Sequence, residues 1–281
     1  MTGAEIAARL REEGRAVLVM VAEARGSTPR EAGAAMLVAP GGASGTIGGG
    51  TVEHRVIEAA RAMLADPAPE PLAQDVPLGP DLDQCCGGRV TVALAPLAAA
   101  DAGRFEAGRA ALWAGGPVWA EPPRPRPALI YGAGHVGRAL VSALTPLPFA
   151  LRWIDARPGT LDAAPQGVAT VETPLPEAEA EAAPPGALHV VLTHSHALDL
   201  EIVAAALAGR PGFVGLIGSA TKRATFLRKL RARGLGEDRL ARLTCPIGLP
   251  GLRDKRPAVI AASVAAQLLT IEAAAAAERA A

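Results

Sequence analysis

The chain has 281 residues, half of them apolar and only 3% aromatic, and its 28 Lys and Arg balance its 28 Asp and Glu. That length suffices for two domains of ordinary size and excludes a single small module. Balanced charge and scarce aromatics argue against a surface that draws nucleic acid or an anionic membrane.

Met1-Thr2-Gly3-Ala4-Glu5 has neither a basic n-region nor an apolar h-region, and three cysteines, two of them adjacent, cannot form a disulfide framework. The expectation is a reduced, cytoplasmic protein. A helix is expected near 4–13, then strands at 16–24 and 34–39 and a turn at Pro40-Gly41-Gly42. Next comes Gly45-Thr46-Ile47-Gly48-Gly49-Gly50-Thr51, which leads into a helix over 52–64. Cys85 and Cys86 precede Gly87-Gly88 and a strand-like run over 90–94. Residues 1–114 therefore read as a mixed α+β domain. Residues 115–127 hold four prolines after Gly115-Gly116-Pro117, which favours an extended, semi-rigid linker.

From 128 to 281 the pattern becomes regular. Strands are expected at 128–131, 150–154, 189–193 and 213–217, with helices at 136–144, 198–207 and 221–233. Such alternation predicts a Rossmann-like, doubly wound parallel sheet, making the chain α/β with an N-terminal α+β domain. The Glu-, Ala- and Pro-rich residues 174–186 read as a solvated loop. The longest apolar stretch, 258–271, is broken by Gln267 and falls short of the roughly 20 residues of a membrane span, so it reads as a buried helix.

Gly132-Ala133-Gly134-His135-Val136-Gly137 fits G-x-G-x-x-G between a strand and a helix, with Asp155 closing the next strand where an acid usually meets a ribose hydroxyl. A sheet of this class without a nucleotide is the alternative. Gly218-Ser219 and Lys222 open a later helix and offer a second anion site, or a plain Ser cap. The run Gly48, Gly49, Gly50 could turn backbone amides toward an anion, and Arg25-Gly26-Ser27-Thr28-Pro29-Arg30 suits phosphate or carboxylate. Glu53 and His54 begin the helix that follows the glycine run. His194 and His196, with Ser195 between them and Asp199 beyond, could bind a metal or move a proton. No C-x-x-C or H-x-x-x-H spacing accompanies them, so a structural zinc is not expected. Cys85 and Cys86 form a candidate soft-ligand or sulfur-handling site; the alternative is that one packs inward and the other is incidental. Cys245, before Pro246-Ile247-Gly248, reads as structural. No Ser-His-Asp order or nucleophile elbow is present.

In order along the chain, the segments 25–30, 45–53, 84–90, 131–140, 193–199, 214–219 and 245–251 together resemble the XdhC/CoxI family, and in particular the XdhC proteins that accompany xanthine dehydrogenase. The resemblance covers nearly the whole chain. It implies an accessory protein, not a redox catalyst, that binds the molybdenum cofactor in its molybdopterin form and presents it to a cysteine desulfurase. The sulfurated cofactor would then pass to the molybdenum subunit of apo xanthine dehydrogenase. Cofactor-biosynthesis proteins become expected partners, and a homodimer the expected state. On this reading Cys85, Cys86 or both lie near molybdenum, while one of the glycine-rich loops holds the phosphate. Many relatives carry a cysteine where this chain has Thr51, and residues 253–257 are more charged than the family pattern. The competing readings are an NAD(P)- or flavin-dependent oxidoreductase built on Gly132, Gly134, Gly137 and Asp155, and a protein-docking scaffold.

Overall fold

Strand β1 (Arg15–Arg25) is buried on both faces over most of its length, which is why it reads as an unbroken apolar run rather than an alternating one. The structure, a computed structural model, describes residues 1–78 and 87–280. It comprises two compact units, Met1–Pro123 and Arg124–Ala281.

In the first unit, β1 is the centre of an antiparallel sheet. Its partners are β2 (Ala35–Ala39), β3 (Gly42–Gly45), β4 (Leu72–Pro77) and β5 (Arg89–Ala98), in the order β3-β2-β1-β5-β4. Helix α1 (Gly3–Glu13) packs Ile6 and Leu10 against Leu18 and Met20 on one face. Helix α2 (Gly50–Ala65) packs Val52, Val56 and Ala60 against Val17, Val19 and Val21 on the other. Thr2 and Glu5 start α1 with a reciprocal capping box. After α3 (Ala102–Glu106), β6 (Arg109–Ala111) and β7 (Val118–Ala120) form a hairpin, with Phe105 edge-on to Trp119 at 5.3 Å. Part of the proline-rich stretch 115–127 is thus paired strand, and its last two residues open the next sheet.

That sheet, in the second unit, is parallel throughout. It contains β8 (Arg126–Tyr131), β9 (Phe149–Asp155), β10 (Ala169–Glu172), β11 (Leu188–Val191), β12 (Phe213–Leu216) and β13 (Leu243–Thr244), ordered β10-β9-β8-β11-β12-β13. This is the doubly wound order of a Rossmann fold, with its switch point between β8 and β11. Helices α4 (His135–Leu144) and α9 (Pro257–Ala280) cover one face. The other is covered by α5 (Pro176–Glu181), α6 (His196–Ala208), α7 (Ala220–Ala232) and α8 (Glu237–Leu240).

Two elements differ from expectation. Residues 174–186 are not a plain solvated loop: Pro176 occupies the first turn of α5, Glu177 and Glu179 favour that helix start, and Ala180 is buried. Helix α9 is longer than the apolar stretch that announced it. By length and composition alone, Pro257–Ala276 would suffice to cross a membrane. It buries the stripe Ala261, Val264, Ala265 and Leu268 in the core beside α4, while Leu269 faces outward.

Candidate functional site

The glycine loop after β8 lies at the switch point, and its three glycines answer to different demands. A Cβ on Gly132, whose φ is 116°, would stand 2.4 Å from the Leu192 carbonyl oxygen, and one on Gly137 would meet the Gly132 carbonyl oxygen at 2.0 Å. The fold itself requires those two. A Cβ on Gly134 would touch nothing within 4 Å, so the bareness of the middle position faces the outside of the loop. Gly134 caps α4 without a side-chain bond, and His135 beside it is exposed. The Trp153 indole N–H donates to the Gly132 carbonyl at 3.1 Å and steadies the loop from below.

Asp155, at the end of β9, is buried and fully engaged. Its Oδ2 accepts the Ala133 N–H at 2.5 Å and Arg157 Nη2 at 2.8 Å. Its Oδ1 accepts the Arg157 backbone N–H at 2.9 Å and Arg157 Nε at 3.0 Å. Burial pushes this carboxyl upward, but the hydrogen bonds from Arg157 and Ala133 outweigh it and hold the group below its ordinary range. Sequence reasoning singled out the acid and missed the arginine, although Asp155-Ala156-Arg157 shows the pair two residues apart.

Across the switch point, Asp199 in the first turn of α6 has no exposed surface. Its Oδ1 accepts the Thr193 hydroxyl at 2.7 Å and the Thr193 N–H at 3.1 Å, while its Oδ2 accepts Lys222 Nζ at 2.7 Å. Lys222 also donates to the Ile217 carbonyl at 2.9 Å. Lys222 and Asp199 thus satisfy each other. Ser219 is a helix cap, its Oγ accepting the Lys222 N–H at 3.2 Å, and a Cβ on Gly218 would collide with the Lys222 stem. His194 and His196 are exposed, and Asp199 turns away into its pair with Lys222, so the three do not form a common donor set. Among the described residues no group of three His, Cys, Asp or Glu side chains could hold a metal ion. Cys245 is buried, and burial raises its thiol pKa, which fits a packed residue.

Sequence reasoning also missed Tyr131 and His189, neighbours on β8 and β11. Their rings stack at 6.0 Å and the Tyr131 hydroxyl lies 3.1 Å from His189 Nδ1, both residues buried. Burial lowers the His189 pKa to about 4, so the ring is neutral at pH 7.

In the first unit, loops distant in sequence meet at one end of the sheet. A Cβ on Gly48 would press on Pro29 at 2.8 Å, one on Gly26 would stand 3.3 Å from the Gly88 Cα, and one on Gly88 would overlap the Ser27 carbonyl oxygen at 2.2 Å. The Arg25–Arg30 loop is therefore flanked by both glycine-bearing segments. Arg25 pairs with Glu23 at 2.7 Å, and Arg30 is exposed. Leu78 N–H donates to the Gly88 carbonyl at 2.8 Å and Gly87 N–H to the Leu78 carbonyl at 2.9 Å, extending the β4–β5 ladder to the ends of segment 79–86. Cys85 and Cys86 lie outside the described residues. The glycine run itself is not an open anion cradle. Glu53 folds back over it, its Oε2 accepting the Thr46 hydroxyl at 2.5 Å, the Ile47 N–H at 2.9 Å and the Gly49 N–H at 3.1 Å, while the Gly48 N–H goes to Thr46. Burial would raise this carboxyl, yet the surrounding donors bring it below its usual range.

Comparison with known proteins places these features. The chain is 30% identical over 277 residues to the uncharacterized protein YqeB of Escherichia coli (strain K12), an alignment that covers 95% of this chain and 45% of YqeB. The chain thus spans less than half the length of that relative. Its fold matches the crystal structure of a Bacillus halodurans protein described as a xanthine dehydrogenase, with a TM-score of 0.78 at 20% identity, over 98% of this chain and 96% of that one. The pattern of the XdhC Rossmann domain matches residues 128–268, half of the chain, and the pattern of the XdhC and CoxI family matches residues 9–74. On these matches, which cover the glycine loop of the second unit and the Arg25–Arg30 and Gly48–Gly50 loops of the first, the chain belongs to the XdhC and CoxI family.

Proposed function

We propose that the chain is a chaperone for the molybdenum cofactor: it holds the molybdopterin form while a cysteine desulfurase replaces an oxo ligand with sulfur, shields the product and delivers it to apo xanthine dehydrogenase. The observation that carries this reading is the meeting of Arg25–Arg30, the Gly48–Gly50 run and Gly87–Gly88, next in sequence to Cys85 and Cys86, at one end of the N-terminal sheet. The cargo is anionic at its phosphate and soft at its sulfurated metal, which suits arginines beside thiolates. With the Gly49 amide spent on Glu53 and the Gly48 amide on Thr46, that run shapes the end of the sheet, and exposed Arg30 provides positive charge there. In this role the protein works in the cytoplasm as a homodimer and is itself no redox catalyst.

The test is to purify the chain from molybdenum-replete cells, extract what it carries, and measure pterin fluorescence and molybdenum on the same sample. Pterin with molybdenum in comparable amounts is the expected result. A nucleotide without molybdenum, or nothing at all, would overturn the chaperone reading.

A further inference from the structure

We propose that the glycine crevice of the second unit binds a dinucleotide of the NADP type, with Arg157 taking the 2′-phosphate and Asp155 closed to an unmodified ribose. In sheets of this order an acid at the end of the second strand ordinarily accepts the ribose hydroxyls. A carboxylate offers about four lone-pair sites. Asp155 spends them on Ala133 N–H and on three donors of Arg157, so a ribose diol finds no free lone pair on this carboxylate unless the arginine leaves.

The arginine is built in. Its carbonyl accepts the Thr160 hydroxyl at 2.9 Å, and the Gly159 N–H of the same turn donates to Glu172 on β10 at 2.8 Å. Its side chain is 41% exposed, and its Nη1 has no partner among the described residues. A guanidinium held this way keeps donors free for a dianionic phosphate, which it binds with directional hydrogen bonds. Gly134 leaves the other end of the crevice open where a bridging pyrophosphate would approach, since nothing of the protein lies within 4 Å of a Cβ there. The proposal concerns binding and assigns no hydride transfer.

The full chain, stripped of nucleotide and metal, is titrated calorimetrically with NADP⁺, NAD⁺, 2′,5′-ADP and 5′-AMP. NADP⁺ and 2′,5′-ADP should bind at least about tenfold more tightly than their counterparts lacking the 2′-phosphate. Arg157→Ala should abolish that preference, weakening NADP⁺ while strengthening NAD⁺ as Asp155 is released. Should that variant unfold, Arg157→Gln keeps donors for Asp155 without the charge and should lose the preference too. No binding of NADP⁺ by folded parent protein, equal affinity for NAD⁺, or a preference that survives both substitutions would overturn the proposal. Pterin and molybdenum in protein taken from cells are read separately, so either reading can fail alone.

Discussion

Lys222 Nζ stands 2.7 Å from Asp199 Oδ2, and the aspartate has no surface in contact with solvent. The pair joins the starts of α6 and α7 on one face of the sheet, with Thr193 donating to Asp199 and Lys222 donating to the Ile217 carbonyl. Removing one partner of such a pair strands the other charge. Lys222→Met should therefore cost about 3–5 kcal/mol. Replacing both residues, with Asp199→Leu added, should recover much of the loss because no orphan charge remains. Urea unfolding of the two variants checks this order.

Gly134 and Gly137 separate the needs of folding from those of a ligand. Gly137→Ala puts a Cβ 2.0 Å from the Gly132 carbonyl oxygen and should cost a few kcal/mol. Gly134→Ala meets no protein atom and should change stability by less than about 1 kcal/mol, yet it should weaken any anion held at the start of α4. Thermal melts with ligand titrations on both variants distinguish the two roles.

His189 should make the second unit acid-sensitive. Its pKa in the fold is about 4, against an ordinary 6.5, so as pH falls the unfolded chain takes up the proton first. Stability is whole above pH 6.5 and declines down to about pH 4, where the folded ring also titrates. Between pH 7 and pH 5 the loss should be about 2 kcal/mol. His189→Gln should flatten that portion of the profile, which denaturation series at the two pH values would record.

Glu53 has the opposite proton linkage to that of an upward-shifted group. Its folded pKa lies below the ordinary 4.5, so its contribution is complete above that value and disappears as pH falls through the lower, folded value. Glu53→Ala leaves the Ile47 and Gly49 amides without their acceptor and should cost about 1–3 kcal/mol at pH 7. Hydrogen exchange at Ile47 and Gly49 should quicken in the variant.

In the proposed function, Cys85 and Cys86 are the soft donors toward the cofactor. Replacing both with serine should abolish retention of sulfurated cofactor. Normal retention in the double variant, assayed as cyanide-releasable sulfur per molybdenum, would remove the thiols from the mechanism.

The parallel sheet was legible because β8, β9, β11 and β12 are short apolar runs placed between helical patterns. Strand β10 was hidden, since its four residues sit at the sheet edge and only Val171 is partly shielded, leaving no apolar run to read. Strand β13 is two residues long. The glycine loop and Asp155 announced themselves by spacing, whereas the role of Arg157 depends on the turn that brings it back over Asp155. The Tyr131–His189 stack depends on the register of two strands separated by more than fifty residues. Glu53 stood in view at the start of α2, but its backward fold onto Thr46, Ile47 and Gly49 is a tertiary arrangement that no short pattern encodes.

The bonds between Leu78 and Gly87–Gly88 close the ladder of β4 and β5 before segment 79–86 begins. The register of β4 and β5 is therefore held by backbone bonds up to the residues that flank that segment. Gly88, which abuts Ser27, thus sits on ladder-fixed backbone, so the approach of the Arg25–Arg30 loop to it is set by strand register.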